Sequence, residues 1–160
     1  MKKTLVAYFS ATGTTEAVAK KLASATNGDL YEIEPQVRYT SADLNWQNKS
    51  SRSSVEMADK SSRPAIVPND PHIENYDTVF IGFPIWWYVA PTVINTFLEA
   101  YDFSGKKIIL FATSGGSGFG NTAAELNGSV SDSTEIVEGK GISPRMTEKD
   151  ITRWVATLNL

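Results

Sequence analysis

Short apolar runs alternate with helix-periodic segments along most of this chain, and that alternation constrains the fold more than any other feature. The densest run is TVFIGF at 78–83, and residues 4–9 and 106–112 form similar runs with little polar content. Such runs are typical of parallel strands that are buried on both faces. After the first run, Val18 and Leu22 recur at helical spacing. The pattern predicts βα units around a parallel sheet.

The rest of the regular pattern completes five strands with helices between them. Residues 29–34 alternate in polarity as an edge strand does, and residues 134–138 are the predicted last strand. Helices are predicted from Thr14 to before Asn27, from Pro91 as its first residue, over 121–127, and after Thr147. Thr147 and Asp150 have the spacing of a capping box. We therefore predict a doubly wound α/β sheet, and 160 residues against about 150 per domain predict one domain over 1–160.

Composition narrows the chemistry available to the chain. It contains no cysteine and one histidine, His72, which disfavours thiolate catalysis, iron–sulfur clusters on cysteine and a multi-histidine metal site. We expect no metal site and no side chain acting as nucleophile or base, so redox chemistry requires a bound cofactor. Fifteen Lys and Arg against 18 Asp and Glu give a net charge of −3, which argues against nucleic acid as a partner.

One uncharged stretch could be mistaken for a membrane span. Residues 78–98 carry no charge, but they contain Gly82, Pro84 and Pro91, which favour a strand, a loop and a helix over a single spanning helix. We therefore expect a cytoplasmic protein that does not enter the membrane.

Residues 35–70 interrupt the pattern with a long polar segment. We predict a partly helical excursion over the surface, since functional loops are often this long. Arg38, Trp46, Arg52 and Arg63 are candidates to hold a pyridine nucleotide or a substrate. The alternative is that these four residues simply form a solvated helix face.

The first strand is followed by a loop rich in hydroxyl groups. It consists of Ser10, Ala11, Thr12, Gly13, Thr14 and Thr15, and the predicted first helix begins within it. A helix N-terminus offers free N–H groups and a positive dipole end, to which hydroxyls add further donors for phosphate oxygens. The loop lacks the lysine of a Walker A sequence, and the alternative of a simple Ser/Thr helix cap requires only one hydroxyl. We predict a phosphate site.

Two further loops follow the third and fourth strands. Ligands of such sheets bind outside the carboxyl ends of the strands, so these loops are expected near the first one. The loop after the third strand contains Pro84, Ile85, Trp86, Trp87 and Tyr88. Three consecutive aromatic residues are suited to covering a flat ligand. The loop after the fourth strand begins Thr113, Ser114, Gly115, Gly116 and Ser117, and its glycines allow a ligand to approach the backbone closely. For either tryptophan of the loop after the third strand, the alternative to ligand binding is that its side chain is part of the core at the end of the sheet.

Together, these three loops resemble those of the flavodoxin superfamily. The sequence SATGTT at 10–15 fits that family's FMN-phosphate motif, and the resemblance covers nearly the whole chain. It implies a three-layer fold with strand order 2-1-3-4-5, which is the known order of flavodoxins, and FMN as cofactor. It also implies that the residues of the three loops bind FMN.

Within that superfamily, the second and third loops look closest to flavin-dependent NAD(P)H and quinone oxidoreductases. The resemblance implies an oxidoreductase that passes electrons from NADH, NADPH or a partner reductase to a small or protein acceptor, as a monomer or a homodimer. A carrier without catalytic activity is the alternative, although carriers usually have a more acidic surface. Quinone reductases typically place a tyrosine and a histidine after the glycine-rich loop, and this chain has neither type after Tyr101.

Overall fold

A five-stranded parallel sheet forms the centre of the computed structural model, which describes residues 3–87, 89–113 and 119–160. The strands are β1 (Thr4–Tyr8), β2 (Asp29–Glu32), β3 (Thr78–Pro84), β4 (Lys107–Thr113) and β5 (Glu135–Gly141). Their order is β2-β1-β3-β4-β5, and every neighbouring pair is parallel. The predicted fold class and strand order are confirmed.

Helices cover both faces of the sheet. They are α1 (Thr14–Thr26), α2 (Arg52–Ala58), α3 (Thr92–Ala100), α4 (Thr122–Asn127) and α5 (Glu148–Ala156), with a short 3-10 helix at Ile73–Asn75. Helices α1 and α5 pack on one apolar cluster, whereas α3 and α4 pack on the other. Because successive strand residues point to opposite faces, the central strands supply apolar side chains to both clusters and must be apolar throughout.

Most predicted elements are present with shifted ends. Strand β2 stops at Glu32, two residues before the predicted end, and β5 extends to Gly141. A bulge explains the longer β5: Leu110 pairs with Glu138 and Phe111 with Lys140, which leaves Gly139 as the extra residue. Pro91 precedes α3 as its N-cap and is not its first residue.

The capping box predicted before the last helix is confirmed. The Thr147 hydroxyl accepts from the Asp150 amide, and the Asp150 carboxylate accepts from the Thr147 amide, both at 3.1 Å. The interior of β3 also requires one particular residue type. A Cβ added at Gly82 would lie 2.1 Å from the Phe111 ring, so glycine is required where this ring crosses β3.

Within the described ranges, each helix is too short or too polar to cross a membrane.

Candidate functional site

The loop between β1 and α1 is shaped by a left-handed glycine. Gly13 has φ 92° and precedes α1 as its N-cap, and its amide donates to Ser10 Oγ at 3.0 Å. Glycine adopts this φ without the strain that a side chain introduces. The loop therefore turns sharply from the strand into the helix, directly beyond the carboxyl end of β1.

The first turn of α1 presents unused donors. The first helical hydrogen bond runs from the Ala17 amide to the Gly13 carbonyl, at 3.1 Å. In the part of the chain that the structure describes, the amides of Thr14, Thr15 and Glu16 have no backbone partner. Three such N–H groups at the positive end of a helix dipole are suited to binding an anion. The hydroxyls of Thr12 and Thr14 lie beside these amides, 3.4 Å from each other, and one of them donates to the other.

A buried hydroxyl pair connects this loop to the end of β4. Thr15 Oγ1 and Thr113 Oγ1 lie 2.7 Å apart, and both residues are buried. The end of β3 is held to the same place, because the Ile85 amide donates to the Thr113 carbonyl at 3.1 Å. The loops predicted to follow β1, β3 and β4 are thus joined by direct hydrogen bonds.

A cavity of about 180 Å³ opens where these strand ends meet. Its lining combines residues of all three predicted loops with one residue from the 35–70 segment, namely Ala11, Thr12, Thr14, Thr15, Leu44, Pro84, Trp86 and Thr113. Seven of these eight residues are predicted site residues, and Leu44 is the addition. Predicted residues 88 and 114–117 lie outside the described residues.

Trp86 belongs to an aromatic cluster at one wall of this cavity. Its ring meets Phe9 edge-on with centroids 5.7 Å apart, and it meets Tyr39 with centroids 5.3 Å apart. Phe9 and Tyr39 also contact each other at 5.5 Å. Edge-to-face pairs of this kind fix the orientation of a ring as well as burying it. The cluster therefore sets the position of Trp86 before any ligand binds.

Tyr39 is in turn held by α2. The Arg52 guanidinium lies 3.9 Å from the centroid of the Tyr39 ring, and its Nε donates to Glu56 Oε2 at 2.9 Å. The Tyr39 hydroxyl donates to the other oxygen of Glu56. Burial, and next the hydrogen bond to Glu56, raise the pKa of Tyr39 far above its ordinary value, so its hydroxyl stays protonated.

Sequence reasoning missed Leu44 as a lining residue and Tyr39 as a support of Trp86, because both lie in the polar excursion, far along the chain from β1 and β3. The only available signal was their apolar character within a mostly polar segment. An apolar residue in a polar segment is expected to be buried, but its type does not tell which part of the protein it packs against.

The aromatic loop does not act as one unit. Trp86 and Val89 exchange two backbone hydrogen bonds, at 2.9 and 3.1 Å, and Trp87 stands at the tip with φ 49°. Trp87 is 43% exposed and lines two other cavities, not the one that contains Trp86. Neighbouring tryptophans thus serve different surfaces.

The arginines of the 35–70 segment are already paired. Arg38 donates to Glu34 at 2.8 Å, Arg52 contacts Glu56, and Arg63 Nε donates to Glu99 Oε1 at 3.0 Å. The segment also exposes Trp46, which is 68% accessible. The Arg63 pair ties the end of the excursion to α3, whereas the Arg52 pair lies within α2 and is of the kind that a solvated helix face also forms.

His72 lies close to two acidic side chains, which was not predicted from the sequence. Its Nδ1 lies 3.5 Å from a carboxylate oxygen of Asp70 and 3.5 Å from one of Glu74. All three side chains are exposed, and they lie away from the cavity at the strand ends.

Many solved structures are similar to this chain, and two of them share nearly half of its residues over almost its full length. A candidate flavoprotein from Bacteroides eggerthii is 49% identical, with a TM-score of 0.91 over 100% of this chain and 99% of that one. A second, from Bacteroides uniformis, is 47% identical, with a TM-score of 0.83 over 97% and 98% of the chains. No curated protein matches the sequence.

A more distant structure shares the fold alone. The flavoprotein of Lactobacillus acidophilus in complex with FMN is 23% identical, with a TM-score of 0.71 over 97% of this chain and 99% of that one. The family model for flavodoxins matches residues 3–158, almost the entire chain. The observed strand order and the hydroxyl-rich loop after β1 are both those expected for this family. The chain belongs to the flavodoxin family.

Proposed function

We propose that the protein binds FMN at the carboxyl ends of β1, β3 and β4 and works as an oxidoreductase. It would pass electrons from NADH, NADPH or a partner reductase to a small molecule or a protein acceptor. The observation that carries the proposal is the meeting of the hydroxyl loop, Trp86 and Thr113 around one cavity. The FMN complex of the Lactobacillus acidophilus protein, which has the same fold, supports this choice of cofactor.

The donor set fits the phosphate of FMN. A phosphate ester needs several N–H and O–H donors, and the first turn of α1 provides the free amides of Thr14, Thr15 and Glu16. Hydroxyls of Ser10, Thr12 and Thr14 lie in the same loop. An added Cβ at Gly13 would meet no atom within 4 Å, so the space beside this residue is open. The loop can therefore surround an anion without a lysine or arginine.

The ring system would occupy the aromatic side of the site. Trp86, fixed by Phe9 and Tyr39, provides a flat apolar surface, and Thr113 marks the start of the glycine-rich loop. These residues would bind and orient the ring and exclude water from one side of it. When bound, FMN supplies the electron-carrying chemistry, since the chain contains no cysteine.

A specific observation favours the alternative of a carrier that depends on a partner reductase. Arg38, Arg52 and Arg63, the candidates for holding a pyridine nucleotide, each donate to a nearby carboxylate. A nucleotide phosphate would have to compete with those carboxylates for the guanidinium groups. We keep the oxidoreductase as the first proposal, and the source of electrons is the point on which the two proposals differ.

Two measurements test the proposal in order. First, titrating the cofactor-free full chain with FMN should quench flavin fluorescence and saturate at one FMN per chain. Purified protein that stays colourless and does not quench FMN would contradict FMN binding.

Second, the loaded protein is mixed with NADH or NADPH without oxygen, and flavin absorbance is followed. Rapid bleaching supports the oxidoreductase, whereas reduction only in the presence of a partner reductase supports the carrier. Sedimentation of the loaded protein distinguishes the monomer from the homodimer, and fractionation of the producing cells tests the proposed cytoplasmic location.

A further inference from the structure

We propose that a second cavity, between α3, α4 and the end of the 35–70 segment, binds a small, uncharged, flat molecule that carries a hydrogen-bond acceptor such as a carbonyl oxygen. The cavity measures about 510 Å³ and shares no lining residue with the cavity at the strand ends. Its size falls within the range of roughly 300–1,000 Å³ that is usual for small-molecule sites. The proposal does not depend on FMN binding.

One residue that lines this cavity carries an unsatisfied hydroxyl, whose oxygen is itself enclosed by protein. Thr92 lines it, is only 7% exposed, and its Oγ1 has no hydrogen-bond partner among the described residues. Buried hydroxyls are normally paired, because leaving one unpaired destabilises the folded chain. In the proposed complex, rotation about the Cα–Cβ bond turns this hydroxyl toward the acceptor atom of the ligand.

A second polar side chain lies one helical turn further along α3. Asn95 is 8% exposed and lines the same cavity, as expected from its i+3 spacing from Thr92. Its Nδ2 donates to Ser129 Oγ at 3.0 Å, and that hydroxyl donates to Glu99 Oε2 at 2.7 Å. This chain of hydrogen bonds holds the Asn95 amide in one orientation. The Asn95 amide is thus oriented before a ligand enters, whereas the Thr92 hydroxyl turns toward the ligand on binding.

The charges around the cavity cancel. Lys60 Nζ lies 3.0 Å from Glu125 Oε1, and Arg63 Nε lies 3.0 Å from Glu99 Oε1. Each cation lining the cavity therefore already has a carboxylate partner. An anionic ligand would have to compete with these carboxylates for the cations, so the arrangement favours a ligand without net charge.

The other side of the cavity is apolar. Trp87, Val89 and Met57 line it, and Trp87 is held at the tip of its turn by the paired backbone of Trp86 and Val89. Trp87 is 43% exposed. An accessible indole ring next to the polar end of the cavity favours a flat ligand. Such a ligand can stack on the ring while its acceptor atom reaches Thr92.

Acetophenone is the first probe, because it is flat, uncharged and carries one carbonyl oxygen. We expect it to shift the amide resonances of the cavity residues in ¹⁵N-labelled full-length protein, in a saturable manner, with or without FMN. Ethylbenzene has a similar shape but no acceptor, and benzoate adds a negative charge. Both should bind at least fivefold more weakly than acetophenone.

Thr92→Val is the decisive variant, because it removes the unpaired hydroxyl and preserves the shape of the side chain. It should fold at least as stably as the unmodified protein and bind acetophenone about five- to tenfold more weakly. Ser53→Ala is the matched control. Ser53 Oγ is the other buried, unpartnered hydroxyl of the described chain, and Ser53 does not line this cavity. Its removal should leave binding unchanged.

Trp87→Leu provides a second variant at an exposed position and should also weaken binding at least fivefold. The proposal is overturned if acetophenone causes no saturable shifts, if ethylbenzene or benzoate binds as well, or if Thr92→Val binds like the unmodified protein. Because binding is measured without FMN, failure of the proposed redox function would leave this result unaffected.

Discussion

Thr15 and Thr113 lie 98 residues apart in sequence, yet their hydroxyl oxygens are 2.7 Å apart in a buried contact. The first residue is in the opening turn of α1, and the second is the last residue of β4. The pair thus fixes the proposed phosphate loop against the strand that leads into the glycine-rich loop. It is a structural link between two parts of the candidate site.

Replacing Thr113 by valine should destabilise the protein by about 1–3 kcal/mol, since it leaves the buried Thr15 hydroxyl without its partner. Thr15→Val should have a similar effect. The double variant should lose less than the sum of the two, because no orphaned hydroxyl remains. Urea unfolding of the FMN-free chains measures all three values, and strictly additive losses would show that the two hydroxyls do not interact.

Thr12→Ala should weaken FMN binding roughly tenfold or more and leave stability without FMN unchanged. A hydroxyl that donates to a charged phosphate contributes on the order of 1.5–3 kcal/mol, and Thr12 is exposed on the loop. Fluorescence titration with FMN measures the change. Thr152→Ala, on an exposed face of α5, is the control. An unchanged Kd for Thr12→Ala would remove this hydroxyl from the site.

Tyr39 should matter for the site chiefly through its ring. Tyr39→Phe preserves the edge contacts with Phe9 and Trp86 and loses only the bond to Glu56, so FMN affinity should change by less than threefold. Tyr39→Ala removes the support of Trp86 and should weaken binding several-fold further. FMN titration of both variants separates the two effects. Equal losses in the two would assign the role to the hydroxyl.

The sequence predicted the scaffold and the three loops because both depend on local pattern. Buried parallel strands must be apolar throughout, and parallel strands place their carboxyl ends at one edge of the sheet. That residues near 10, 84 and 113 are neighbours on this edge follows from the strand order, which was implied only by the resemblance to flavodoxins. The role of Tyr39 was not predictable, because no local pattern states which distant surface a side chain covers. The separation of Trp86 from Trp87 depends on a left-handed backbone at Trp87, which is uncommon for a bulky residue.

Gly139→Ala should destabilise the protein, whereas Gly141→Ala in the same strand should not. A Cβ at Gly139 would lie 2.1 Å from the carbonyl oxygen of Leu110, which belongs to the backbone and cannot rotate away. At Gly141, no atom lies within 4 Å of the added carbon. Relieving the clash requires a backbone shift at the bulge and should cost roughly 1–3 kcal/mol. Thermal unfolding compares the two, and equal melting temperatures would contradict the geometry of the bulge.

Glu99 should stabilise the protein at neutral pH and lose this effect in acid. The hydrogen bond from Arg63, followed by the one from Ser129, lowers the pKa of the Glu99 carboxyl below its ordinary value of 4.5. A lowered pKa in the folded state gives stability that is present above the unfolded pKa and is lost as the pH falls through the folded one. Glu99→Gln should therefore melt earlier at pH 7, and the difference should close as the pH falls below about 4.5. Glu135→Gln, at an exposed position outside the ion pairs of the described residues, is the control. A difference that stayed constant from pH 7 to pH 3 would show that the charge of Glu99 contributes nothing.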